Sequence, residues 1–267
     1  MYETNFHRAG DLAEASRLFA AAKDEARYLA GGQTLIPTMK QRLAAPSDLV
    51  SISQIAELKG ISVGSEMVTI GAAVTHAEVA TSNEVKGAIA ALSDLADRIG
   101  DPAVRHRGTI GGSLANNDPA ADYPAAVLGL GATVHTDKRT LAAEDFFTGL
   151  FSTALEDDEI ITKVAFPVPE KAAYMKFANP ASRYAMAGVL VARMKDGSVR
   201  VGVTGAGQGG VFRATDMEKA LSASWSPDAL ADIVVDPAEM LSDLHGSADY
   251  RANLVKVMAK RAVQATA

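Results

Sequence analysis

The run Arg105-His106-Arg107-Gly108-Thr109-Ile110-Gly111-Gly112-Ser113-Leu114-Ala115-Asn116-Asn117-Asp118-Pro119-Ala120-Ala121-Asp122 constrains this chain more than any other stretch. It joins two apolar helical patterns through adjacent glycines, flanking hydroxyls, two amides and two carboxylates, more hydrogen-bonding capacity than a turn requires. Adjacent glycines let a backbone approach a ligand with no Cβ in the way and tolerate left-handed φ at little cost. Their amides, with the unpaired donors of a following helix, make an anion cradle suited to phosphate or diphosphate. Arg105 and Arg107 add formal charge. A tight turn between packed elements is the competing reading of a single glycine pair.

A second stretch of the same kind is Tyr28-Leu29-Ala30-Gly31-Gly32-Gln33-Thr34-Leu35-Ile36-Pro37-Thr38-Met39-Lys40, where a short apolar strand runs into Gly-Gly and then a helix. Pro37 suits the first turn of that helix and Thr34 its N-cap. Two glycine cradles point to one elongated diphosphate ligand gripped from both sides, and a dinucleotide fits that description.

The segments Ala30-Gly31-Gly32-Gln33-Thr34 and Thr109-Ile110-Gly111-Gly112-Ser113, with the Asn117-Asp118-Pro119-Ala120-Ala121-Asp122 run, resemble the two FAD-binding motifs of the flavoprotein (medium) subunits of molybdenum hydroxylases. Carbon monoxide dehydrogenase and xanthine dehydrogenase belong to that group, and the resemblance covers nearly the whole chain. It implies an α+β fold: a two-part FAD-binding α/β region over 1–170 (PCMH-type, vanillyl-alcohol-oxidase-like, subdomains about 1–55 and 56–170), then a C-terminal antiparallel sheet with helices over 171–267.

Carried over residue by residue, Tyr28, Leu29, Ala30, Gly31, Gly32, Gln33, Thr34 and Leu35 match the first motif, which wraps the FAD diphosphate. Thr109, Ile110, Gly111, Gly112 and Ser113 match the second, and Asp122 takes the place of a family carboxylate near the cofactor. Ile161 resembles an aliphatic position whose backbone lies near FAD, and Lys176 and Tyr184 fall in a segment that approaches the isoalloxazine. Gln33 replaces a common family histidine, and Asn117 follows the second motif. The implied partners are a small subunit with two 2Fe–2S clusters and a large molybdopterin subunit, in a dimer of heterotrimers.

Composition sharpens these expectations. The chain has no cysteine, so it cannot hold an iron–sulfur cluster through thiolates or carry a thioether-linked flavin. Iron–sulfur chemistry must therefore sit on another polypeptide, and FAD is expected to be non-covalent, with His106 the one loop histidine to check. At 267 residues and 48% hydrophobic content, one large core or two to three smaller ones can form. No run reaches the length of a membrane span and the N-terminus lacks a signal-peptide pattern, so the expected compartment is the cytoplasm. A net charge of −6 argues against a nucleic-acid partner.

In chain order, Asn5–His7 reads as a strand and Asp11 with Glu14 as a capping box before a helix with Leu12, Ala15, Leu18, Phe19 and Ala22 on one face. Strands at 27–30 and 49–52 complete a small α/β unit. Ile61–Val63 and Val68–Ile70 read as a hairpin, Thr75 as the start of a short helix, and Val85 to Ile99 as one amphipathic helix. A helix near 123–130 and strands near 132–135 and 160–166 follow. Asp196-Gly197 between strands is the strongest hairpin signal. Helices are expected near 215–222, 227–234 and 247–263.

The run Gly205-Ala206-Gly207-Gln208-Gly209-Gly210 satisfies G-x-G-x-x-G, but a helix would have to start inside it, and the expected start is later, at a Thr215/Glu218 capping box. The five histidines show no metal spacing, and Ser113 lacks a nucleophile-elbow pattern. Two other functions stay open on sequence: a stand-alone FAD-dependent reductase or oxidase, and a nucleotide-binding module without redox chemistry.

Overall fold

The computed structural model describes residues 1–266. Its first unit is a three-stranded parallel sheet in which β3 (Asp48–Ser51) lies between β1 (Asn5–Arg8) and β2 (Ala26–Leu29). Parallel neighbours need crossovers, supplied by α1 (Leu12–Ala20) and α2 (Leu35–Lys40). Asp11 caps α1 through the Glu14 amide as expected, and the Glu14 carboxylate reaches back to the Gly10 amide. Thr34 does not act as a side-chain cap on α2, because it already has αR backbone, which leaves its hydroxyl free.

A five-stranded antiparallel sheet follows, in the order β4 (Ile61–Val63), β5 (Met67–Gly71), β10 (Ile161–Pro167), β6 (Thr133–Thr136), β7 (Thr140–Ala142). Between β5 and β6 run α3 (His76–Thr81), α4 (Asn83–Ala88), α5 (Ala90–Asp97), α6 (Pro102–Arg105), α7 (Ile110–Asn116) and α8 (Tyr123–Leu130). The single helix expected over 85–99 is two: Gly87 weakens the last turn of α4, and Ile89 leaves helical backbone at φ −140°, ψ 77° while staying buried. Short α9 (Ala143–Phe146) leads into a small hairpin of β8 (Phe147–Gly149) and β9 (Ser152–Thr153).

The last third is a four-stranded antiparallel meander, β11 (Lys171–Ala178), β12 (Ala185–Arg193), β13 (Val199–Thr204) and β14 (Phe212–Arg213), with the Asp196-Gly197 turn where expected. Both faces of β12 are buried: Leu190 and Ala192 join the core of the central region, while Val189 and Val191 pack with Val255, Met258 and Ala259 of α11 (Ala248–Gln264). The sheet thus binds the C-terminal helices to the middle of the chain. α10 (Thr215–Ala223) begins after the glycine run, but without the Thr215/Glu218 box. Ala214 is its N-cap, and Glu218 instead accepts from the Val201 amide and the Arg213 guanidinium. The expected 227–234 helix is only a 3-10 turn, Pro227–Leu230, because the following Ile233-Val234-Val235 run disfavours helix.

Candidate functional site

Where the parallel unit meets the antiparallel region, a cleft of about 1290 Å³ opens, roofed at one side by the β11–β12 turn. That exceeds the roughly 300–1,000 Å³ usual for small-ligand pockets, so it calls for a long ligand. Tyr28 through Leu35 line one wall. The opposite wall is α7 with Ala72, Ala73 and His76. Ile161, Phe151 and the 181–184 turn lie along the rim and floor.

The first glycine motif does what an anion cradle requires. Among the described residues, the amides of Gly31, Gly32, Gln33, Thr34 and Leu35 donate to nothing within the chain, five consecutive free N–H groups beside the cleft. Gly32 turns the row with φ +71°. Gly31 is glycine for another reason: a Cβ there would stand 2.1 Å from the Arg107 carbonyl oxygen, so the two motifs touch backbone to backbone.

The second motif is built differently from the loop read in the sequence. Its glycines lie in the first turn of α7, and the amides are satisfied: Ile110 donates to the Val74 carbonyl, Gly111 to that of Ala72, and Gly112 to Thr109 Oγ1 at 3.1 Å. Gly111 is small because a Cβ would lie 2.6 Å from that of Ala72. The motif therefore offers side chains rather than amides, with Ser113 and Asn116 on the cleft wall. Ile110 points into the core and is not part of the wall. Arg105 and Arg107 also stay off it: the Arg105 guanidinium donates to the Ile99 carbonyl at 3.1 Å, and the cleft's arginines are Arg27 and Arg183.

Asp122 closes one end as a buried carboxylate, accepting from Tyr174 Oη at 2.5 Å and Lys176 Nζ at 2.9 Å. Burial pushes its pKa up, and Lys176 and Tyr174 pull it back. Lys176 lies beneath Asp122 instead of on the cleft wall, whereas Tyr184 is half exposed at the rim. Tyr28 stacks on Phe19 with ring centres 4.6 Å apart, and burial raises its phenol to about 12. The strand β13 end clamps the loop after α7: Thr204 Oγ1 donates to the Pro119 and Ala121 carbonyls, and the Gly205 amide to Pro119.

Among the cleft residues that sequence reasoning missed are His76, Phe151 and Arg183. Phe151 and Arg183 have positive φ, 51° and 61°, as does Asn117 at 41°. Such backbone in non-glycine residues is costly and clusters at functional sites. The Asn117 amide holds the β8–β9 hairpin by donating to the Gly149 and Ser152 carbonyls, both at 2.8 Å. His106, by contrast, is outside the cleft, bonded to the Pro102 carbonyl.

Fold and cleft together define a binding protein for a long anionic cofactor, set between a parallel α/β unit and an antiparallel α+β body. Residues 2–169 match the family described as the FAD binding domain in molybdopterin dehydrogenase. The chain belongs to this family, the FAD-binding medium subunits of the molybdenum hydroxylases. It is 32% identical to the carbon monoxide dehydrogenase medium chain of Hydrogenophaga pseudoflava, over 97% of this chain and 96% of that one. It is 33% identical to the glyceraldehyde dehydrogenase medium chain of Sulfolobus acidocaldarius, over 99% of each. A solved structure of reconstituted CO dehydrogenase from Oligotropha carboxidovorans superposes over 100% of both chains with a TM-score of 0.90 at 34% identity.

FAD fits the residues present: five free amides match a diphosphate, and hydroxyl and carboxylate side chains along a long cleft match ribityl and ribose hydroxyls. No group of histidine and carboxylate side chains able to hold a metal ion exists among the described residues, and none of their helices is long and apolar enough to cross a membrane.

Proposed function

We propose that this chain is an electron relay, carrying FAD between the iron–sulfur centres of a small partner subunit and an external acceptor, with substrate oxidised on a large molybdopterin subunit. The carrying observation is the free amide row of Gly31–Leu35 in a chain without cysteine. When bound, FAD supplies one- and two-electron redox chemistry. This chain's residues would bind and orient it: the 31–35 amides would hold the diphosphate, Ser113 and Asn116 would face it from α7, Asp122 would accept from a hydroxyl, Ile161 would lie against the cofactor, and Tyr184 would stand near the isoalloxazine. Residues 1–170 form the FAD-binding region and 171–267 the domain that closes it.

The assembly follows that of the carbon monoxide dehydrogenase-type enzymes, a dimer of heterotrimers, working in the cytoplasm. Relatives at 32% and 33% identity are named for carbon monoxide and glyceraldehyde, as expected if substrate choice rests with another subunit. The test follows flavin reduction by a candidate substrate in the isolated chain and again after adding the iron–sulfur and molybdenum subunits. Reduction should need all three; rapid reduction of the isolated chain would make it a stand-alone oxidoreductase.

A further inference from the structure

We propose that His76 is a cofactor-binding residue whose Nε2–H donates to the diphosphate held by the Gly31–Leu35 amides; this rests on the FAD reading above and deepens it. His76 opens α3, where the reciprocal Thr75–Glu78 capping box fixes the turn, and its own amide donates to the Gly108 carbonyl at 3.0 Å. The ring covers Gly108 so closely that a Cβ there would lie 2.6 Å from Nε2. Gly108 is in turn the residue against which Gly31 packs, its Cα 2.8 Å from where a Gly31 Cβ would be. Gly108 thus packs against both the His76 ring and Gly31, the first residue of the free amide row, and all three line the same cleft.

The two ring nitrogens differ. Nδ1 is sealed from solvent and has no partner, whereas Nε2 is not sealed, has no protein partner, and belongs to a side chain on the cleft wall. A neutral imidazole carries one N–H. A sealed N–H without an acceptor is the rarer and costlier defect, so the proton sits on Nε2 and the lone pair on Nδ1. Tyr123, whose ring centre is 5.4 Å away, carries the other sealed, unpartnered polar atom of this region, its hydroxyl, and a lone pair at Nδ1 suits a neighbouring O–H donor. Burial and the nearby Arg105 hold the imidazole down at about 4, so the ring is neutral at physiological pH. The cleft therefore meets its anion with a neutral, oriented donor.

FAD and riboflavin, which lacks the diphosphate, are titrated into the full-length apo chain as wild type, His76→Asn and His76→Gln, with a thermal melt of each. Glutamine places an amide nitrogen near the Nε2 position and asparagine near Nδ1. His76→Asn should weaken FAD about tenfold or more, the size of one hydrogen bond to a charged group, and leave riboflavin unchanged. His76→Gln should recover most of the loss. FAD affinity equal to wild type in a folded His76→Asn overturns the proposal and leaves the FAD reading standing; failure of the wild type to bind FAD overturns both. If His76→Asn does not fold, nitrogen NMR of the wild-type ring decides: an Nε2-protonated ring whose Nε2 signal moves with FAD but not riboflavin supports the contact, and an unmoved signal overturns it.

Discussion

Gly31→Ala separates the packing role of the first glycine motif from its conformational one. The added Cβ would stand 2.1 Å from the Arg107 carbonyl oxygen and 2.8 Å from its carbon and from Gly108 Cα. Ordinary contact begins near 3.4 Å, so the two motifs must part by about 1.3 Å, and backbone atoms have no rotamer through which to yield. Overpacking of this kind costs about 1–3 kcal/mol. In a chain of this size that lowers Tm by roughly 2–10 °C. The same displacement moves the 31–35 amides away from the α7 wall. Losing one amide-to-phosphate hydrogen bond, about 1.5–3 kcal/mol, weakens FAD by roughly ten- to a hundredfold. Flavin fluorescence quenching gives the affinity and a melt of the apo chain gives the stability. A lowered Tm with wild-type FAD affinity would refute the coupling between motif contact and cofactor grip.

Acid precipitation of the holoprotein should release all the yellow colour to the supernatant, as no cysteine exists and His106 lies off the cleft; colour left on the pellet would reveal a covalent flavin. Asn117→Ala strands the Gly149 and Ser152 carbonyls, and should cost about 1–3 kcal/mol and speed hydrogen exchange across residues 147–153, with unchanged exchange counting against the staple. Glu159, held by Arg139, has its pKa lowered to about 2. A carboxylate with a depressed folded-state pKa stabilises above its unfolded value near 4.5 and loses that contribution as pH falls toward 2. Glu159→Gln should therefore flatten the fall in Tm between pH 5 and about pH 3; an equally steep fall would mean other groups drive acid unfolding.

Local signals carried the fold where one segment decides its own structure. The Asp11–Glu14 cap and the Asp196-Gly197 turn both took the predicted form. Tertiary contacts decided the rest. Ile89 breaks a helix that periodicity alone would continue, and Glu218 leaves its capping role to accept from Arg213, five residues earlier, and from the Val201 amide on the neighbouring strand, a pairing set by how the sheet and helix pack. At the site, both motifs were visible as sequence, but their division of labour was not. Whether a glycine exposes amides, as Gly32 does, or admits a neighbour, as Gly111 does, depends on what packs against it. His76 gave no signal at all, since its place on the wall comes from Gly108, far along the chain.

The clamp on the 119–122 loop has a consequence for how the molecule is made. Among the described residues, every hydrogen bond that holds this loop from outside comes from Tyr174, Lys176, Thr204 or Gly205. All four lie beyond the 2–169 segment that matches the family's FAD domain. During synthesis that segment leaves the ribosome first, with Asp122 still lacking both its lysine and its tyrosine. The Asp122 end of the cleft is therefore complete only once the last third of the chain has folded against it.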